Sequence, residues 1–181
     1  MLNSIIEKEK LLLVTDVPGY SPNISRLICM MNYSRFATLH SVSGLSVLEL
    51  DHRFDDESNS IGALLLHMAA VDFYYQKFSF DERELSLEER AKWDSALDLG
   101  ESARREIKGN DLNYYINTLN EIRNRTYELM KEKDDEWLEK KSKFGNADAN
   151  NYWMWFHVFE DEINHRGQIS WLRKRLPPGL Q

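Results

Sequence analysis

Apolar residues recur at helical spacing along four long stretches of the chain, separated by polar segments that carry turn and capping signals. In the first, about 22–43, Ile24, Leu27, Ile28, Met31, Leu39 and Val42 form one line; Ser21-Pro22 opens it and Gly44 stops it. The second, about 60–78, carries Ala63, Leu64, His67, Ala70, Val71, Tyr74 and Phe78 on its inward line. Ser58, Asn59 and Ser60 supply capping oxygens there, and Gly62, Ala63, Ala69 and Ala70 allow close helix contact around His67. The third, about 111–140, is capped by Asp111 and lines up Leu112, Tyr115, Ile116, Leu119, Ile122, Thr126, Leu129 and Met130. Its opposite face, with Glu121, Arg125, Lys131 and Glu132, reads as solvated. The fourth, about 151–176, places Met154, Val158, Asp161, His165, Ile169, Leu172 and Leu176 on one line and ends at Pro177-Pro178-Gly179.

Between the stretches, residues 1–20 read as a lead-in ending at the Pro18-Gly19 turn, 45–59 as an acidic loop, and 140–151 as a loop passing through Gly145. The connection from Ser79 to Asn110 opens a short helix with the capping box Ser86 to Glu89. Some 30 residues are enough to cross a bundle, so the second and third helices can run parallel. Alternating β-branched runs are scarce. The expected fold is all-α, one domain over 1–181, a four-helix bundle with a long crossover between helices 2 and 3.

Composition narrows the chemistry. The chain has 181 residues, 42% hydrophobic, and a formal net charge of −7. It has no basic field to hold nucleic acid through phosphates, and no apolar run near the ~20 residues of a membrane span. Cys29, the single cysteine, lies in the apolar run RLICMM and reads as a buried thiol, and a cytoplasmic location is expected.

Three ionisable residues then stand out because they interrupt apolar lines: Asp161 and His165, four apart on the fourth helix, and His67 in the middle of the second. A buried polar group needs a hydrogen bond, a charge partner or a metal. Each residue alone fits a hydrogen-bonded core group, whereas the set of three on two helices favours a divalent ion held by two imidazoles and a carboxylate. His157, four before Asp161, is a candidate for the rim as a general base, and Glu162 on the margin of the stripe is an alternative third ligand. Arg35 and His40 read as solvated. Tyr74, Tyr75, Trp153, Trp155, Phe156 and Trp171 are candidates either for a pocket wall or for core and dimer packing. Arg166, Arg173, Lys174 and Arg175 are candidates to attract an anionic thiol cofactor, and the last three equally suit the helix C-terminus.

These residues carry a resemblance. NSIGALLLHMAAVDFYY, with His67, and EDEINHRGQISWLRKRLP, with Asp161 and His165, are similar to the motifs of the DinB-like superfamily of four-helix metal-binding proteins, over about Ser21 to Leu176. The resemblance implies a metal site at His67 and His165, with Asp161 where many members carry histidine. It gives Gly167 and Gln168 only close packing and a hydrogen bond behind the ligands. It further implies zinc, nickel or iron as cofactor and a low-molecular-weight thiol such as bacillithiol or mycothiol as co-substrate. The expected partner is a small-molecule substrate, and the expected assembly a homodimer. The leading expectation is a metal-dependent thiol S-transferase; a metal-dependent hydrolase and a non-catalytic stress-response or interaction module are the alternatives.

Overall fold

A computed structural model describes residues 10–180. Four long helices dominate it: α1 (Pro22–Val42), α3 (Ile61–Tyr75), α6 (Leu112–Met130) and α8 (Asn151–Arg173). Shorter elements join them: α2 (Val47–Asp51), α4 (Leu87–Asp98), α5 (Gly100–Glu106), α7 (Asp135–Glu139), and the strands β1 (Lys141–Phe144) and β2 (Ala147–Asn150). The lead-in expected over 1–20 lies partly outside the described residues, which begin at Lys10; from there the backbone is irregular and turns at Pro18-Gly19.

Local chemistry accounts for the helix starts. The side chains of Ser60, Asp111 and Asn150 each accept a backbone N–H of the first turn of α3, α6 and α8, and a cap of this kind contributes about 1 kcal/mol. The capping box of Ser86 and Glu89 forms with both hydrogen bonds. Ser21 precedes Pro22 at the start of α1 but caps differently, since its hydroxyl donates to Asp135 at 2.5 Å.

Side-chain pairings set the helix directions. Gly62 and Tyr115 meet near the starts of α3 and α6, and Gln76 at the other end bonds to Thr126, so these two helices run parallel. Arg173 of α8 reaches the carbonyls of Ser41 and Ser43 at the end of α1, while Asp135, ahead of α8, meets the start of α1. Helices α1 and α8 are therefore parallel to each other. Both are antiparallel to the other pair, as Trp155–Ser79 and Tyr127–Asn32 record. The crossover through α4 and α5 makes this up-down-down-up order possible, as its length predicts.

Three expectations are revised. The stretch 140–151 is a β-hairpin, Lys141 paired with Asn150 and Phe144 with Ala147, because Gly145 takes a left-handed conformation at its turn. The acidic loop contains α2, opened by a second capping box between Ser46 and Glu49. Helix 3 ends at Met130, and α7 is separate, started by Asp134. The second helix also leaves α geometry after Tyr75, its last turn, Gln76–Phe80, being π-helical.

Apolar residues gather in two clusters, one around α3, α4, α5 and the start of α6, the other around α1, α7 and the first half of α8. Between them lies a fully buried ionic network that joins all four long helices. Arg123 donates through Nε to Asp72 at 2.6 Å and through Nη2 to Glu162 at 3.0 Å. Arg35 donates through Nε to the same Glu162 at 2.9 Å and through Nη1 to the Leu119 carbonyl at 2.8 Å. Thr126 donates to the second oxygen of Asp72, which completes a set of two cations and two anions. Arg35, expected in solvent, is thus 2% exposed, because neutralising a buried carboxylate requires it. His40 is exposed as expected.

Helices α3 and α6 approach closely at Gly62. A Cβ built on Gly62 would lie 2.5 Å from Oη and 2.8 Å from Cζ of Tyr115, whose ring is fully buried. Alanine ordinarily stabilises a helix interior over glycine by about 0.5–1 kcal/mol. Overpacking here reverses the sign, so Gly62→Ala is expected to lose about 1 kcal/mol or more in urea unfolding. A variant as stable as the wild type would mean that the two helices separate without cost.

Candidate functional site

His67 projects from the middle of α3, and Asp161 and His165 from successive turns of α8, where the two antiparallel helices pack. Each of the three offers a ligand atom within 4.8 Å of the other two. Asp161 Oδ1 lies 3.2 Å from His165 Nε2, and Oδ2 lies 3.6 Å from His67 Nε2. The imidazoles stand edge to face, with ring centroids 4.6 Å apart. Donors sharing one ion at about 2.1 Å each can be no more than about 4.2 Å apart, so both carboxylate–imidazole pairs already have the spacing of ligands on one ion. The side chains are 12%, 14% and 13% exposed for His67, Asp161 and His165. They are shielded yet reachable from solvent.

Neighbouring groups orient the imidazoles. His67 Nδ1 is 2.8 Å from the carbonyl oxygen of Ala96 in α4. That oxygen can only accept, so Nδ1 carries a proton and Nε2 is the nitrogen turned toward Asp161. His165 Nδ1 faces Oε1 of Gln168 at 3.4 Å, a longer contact of the same sense. Such contacts behind a ligand hold the ring and the tautomer that coordination requires.

One atom is left over. Asp161 Oδ2 is buried with no hydrogen-bond partner among the described residues, an arrangement that costs free energy unless something takes up the oxygen. Burial pushes the Asp161 carboxyl upward, but the neighbouring His165 and His67 outweigh that and hold it well below the usual carboxylate range. In His165, burial pushes the imidazole down and Asp161 more than compensates, so its pKa is raised. The chemistry of the donor set, two imidazole nitrogens and one carboxylate oxygen, fits zinc, nickel or iron, with further positions open.

The other candidates go elsewhere. Glu162, considered as an alternative ligand, is turned away from the histidines into the ionic network, where Arg35 and Arg123 hold both its oxygens. His157 bonds to Glu160 at 2.9 Å, stacks on Trp153 at 5.2 Å and meets the buried ring of Tyr75 of α3 edge-on at 6.0 Å. Cys29 is buried as expected and donates to the Thr15 carbonyl. Trp155 is core, donating to Ser79 Oγ, whereas Trp153, Phe156 and Trp171 are exposed. Arg173 serves the end of α1 rather than its own helix. What sequence reasoning missed is the role of Ala96, whose carbonyl orients His67; a backbone acceptor has no side-chain signature, and only the crossover path brings it there.

A parallel outer pair and a parallel inner pair of helices, with histidines and a carboxylate meeting between α3 and α8, define a DinB/YfiT-like bundle. The chain belongs to the mycothiol-S-transferase family, whose model matches residues 26–178. No curated protein matches it. Among solved structures, an uncharacterized protein from Clostridium difficile 630 shares the fold with a TM-score of 0.64, at 17% identity over 84% of this chain and 96% of that one.

Proposed function

We propose that the protein is a metal-dependent thiol S-transferase in which His67, Asp161 and His165 hold one divalent ion. The observation that carries this reading is the buried Asp161 oxygen without a hydrogen bond, set beside two imidazoles whose Nε2 atoms both face the Asp161 carboxylate. Membership of the mycothiol-S-transferase family supports the choice of a low-molecular-weight thiol as co-substrate. An ion bound by three protein ligands supplies Lewis acidity at its open positions, toward a thiol or a water.

The chain's own residues do the rest. Ala96 and Gln168 keep the imidazoles in the tautomer that presents Nε2. The neighbouring Glu162, pinned by two arginines, fixes the rotation of α8 so that Asp161 faces α3. In the reaction, the thiol sulfur forms a bond to an electrophilic carbon, the leaving group departs with its electron pair, and the thiol proton passes to solvent.

The test is elemental analysis of protein purified without added metal, followed by an assay of mycothiol with 1-chloro-2,4-dinitrobenzene. One zinc, nickel or iron per chain and adduct formation abolished by chelator are expected. Failure to take up any of these metals sinks the proposal as a whole. A bound metal without thiol transfer removes the transferase and leaves the metal centre, in which case release of an acid product from an ester would favour the hydrolase.

A further inference from the structure

Helices α4 and α5 are separated by a single residue, Leu99, yet the chain does not pass from one to the other as continuous helix. Leu99 has φ 56° and ψ −148°, and Gly100 after it has φ 67°. Glycine takes positive φ without steric cost, whereas a leucine there is strained. The Leu99 side chain packs against the apolar cluster around α3, α4 and α5, which holds the residue in place. Strain of this kind persists only where the surroundings fix it, and it gathers at functional sites.

The break redirects two backbone groups. In an unbroken helix the N–H of Gly100 would donate to the carbonyl four residues earlier, that of Ala96. Here it donates instead to Oδ1 of Asn59 at 3.1 Å. The carbonyl of Ala96, a fully buried residue, becomes one of the helix-end acceptors that need a donor from outside the helix. His67 Nδ1 lies 2.8 Å from it. Release from the helix is thus what makes this oxygen available to the imidazole.

The segment 57–59, directly ahead of α3, clamps the break from the other side. Besides the Asn59 contact, the Glu57 carbonyl accepts from Arg104 of α5 at 2.8 Å. Within the junction, the Ser102 hydroxyl donates to the Leu99 carbonyl at 3.2 Å. Helix α3 therefore starts where its lead-in grips the junction, and about two turns further on it presents His67 to the oxygen that the junction sets free.

We infer that Asn59 and Leu99 are positioning residues for the candidate metal centre: by keeping α4 and α5 apart they reserve the Ala96 carbonyl for His67, whose ring is then held with Nε2 toward Asp161. The inference rests on the metal-binding part of the proposed function. Without the Asn59 oxygen, the Gly100 N–H and the imidazole compete for one carbonyl, and the junction relaxes toward continuous helix. The imidazole then loses the contact that fixes its rotation, and the three ligands close on the ion less well.

Zinc titration of the metal-free full chain in competition with a fluorescent chelator tests this. Loss of a contact behind a ligand weakens metal sites about 10–100-fold. Asn59→Ala is expected to fall in that range, while its metal-free melting temperature stays within a few degrees of wild type. Asn59→Asp, which keeps an oxygen for the Gly100 N–H, should recover most of the affinity. Leu99→Gly and Leu99→Ala both remove the packed side chain, but only glycine favours the positive φ, so zinc should bind more tightly to Leu99→Gly than to Leu99→Ala. That pair gives the answer if Asn59→Ala does not fold. Zinc held by folded Asn59→Ala as tightly as by wild type, or equal affinities in the two Leu99 variants, overturns the inference and leaves the metal centre standing. A wild type that takes up no zinc fails the metal reading itself, and the inference falls with it.

Discussion

Arg123→Leu is expected to lower the unfolding free energy by about 3–5 kcal/mol, the cost of removing one partner from a buried ion pair. Arg123 is 3% exposed and, among the described residues, is the only cation on Asp72, which is fully buried. It also shares Glu162 with Arg35. Without it, Asp72 keeps Thr126 as a hydrogen-bond donor but has no positive charge nearby, and Glu162 keeps one arginine of two. Removing the anion as well should recover much of the loss, so Arg123→Leu combined with Asp72→Leu is expected to be more stable than Arg123→Leu alone. Urea unfolding of the two single variants and the double variant measures this. A single-variant cost below about 1 kcal/mol would mean that the network contributes nothing beyond packing.

The same network has a signature in acid. Burial pushes the Glu162 carboxyl up, while Arg35 and Arg123 outweigh it and hold the folded-state value below normal. A group whose folded pKa is depressed stabilises the fold fully above its unfolded value, about 4.3 for glutamate. That contribution disappears as pH falls through the folded value. The difference in stability between wild type and Arg123→Leu should therefore be widest near neutrality and narrow below about pH 4, since a protonated Glu162 no longer needs the arginine.

How the network escaped the sequence reading is instructive, because the signal was present. Arg35 follows Ile28 and Met31 on the α1 line, Asp72 follows Leu65 and Met68 on α3, Arg123 lies between Leu119 and Tyr127 on α6, and Glu162 follows Val158 on α8. Each interrupts an apolar line as His67 and Asp161 do. Charge balance was the missing step: two positive and two negative interruptions on four helices can neutralise one another without any ion, whereas His67, Asp161 and His165 form a set with one fixed negative charge and two titratable bases. The long helices and their caps were legible because apolar period and capping chemistry are local. The hairpin and α2 were not, since Lys141–Asn150 has no apolar alternation and Val47–Asp51 is barely more than one turn. Helix directions were legible only as a possibility, through the length of the crossover. The joint between Ala96 and His67 belongs to tertiary structure alone, and so does the setting of Gly167, where a Cβ would meet nothing within 4 Å and the close packing expected there is absent.

The proposed metal centre should have its own large effect on stability, and His67 is the residue that isolates it. An ion that binds only the folded chain stabilises it by about 2.7 kcal/mol at a concentration one hundred times its dissociation constant. For a chain of this size each kcal/mol moves the melting temperature by about 2–4 °C, so zinc added to chelated wild type should raise it by about 5–10 °C. His67→Ala removes the candidate ligand that α3 contributes, leaving Asp161 and His165 on a single helix. Loss of contacts merely behind a ligand weakens metal sites about 10–100-fold, and loss of the ligand itself should cost at least as much. The same zinc then stabilises the variant by about 1.4 kcal/mol or less. A second effect separates ion binding from packing, because a bound ion would link α3 to α8 whereas the apolar contacts of Leu64 and Ile169 do so with or without it. Chelated wild type and chelated His67→Ala should thus melt within a few degrees of each other and diverge only when zinc is added. Melting curves that coincide with and without zinc in the wild type, or an equal rise in His67→Ala, would show that the carboxylate and its two imidazoles pair only with one another.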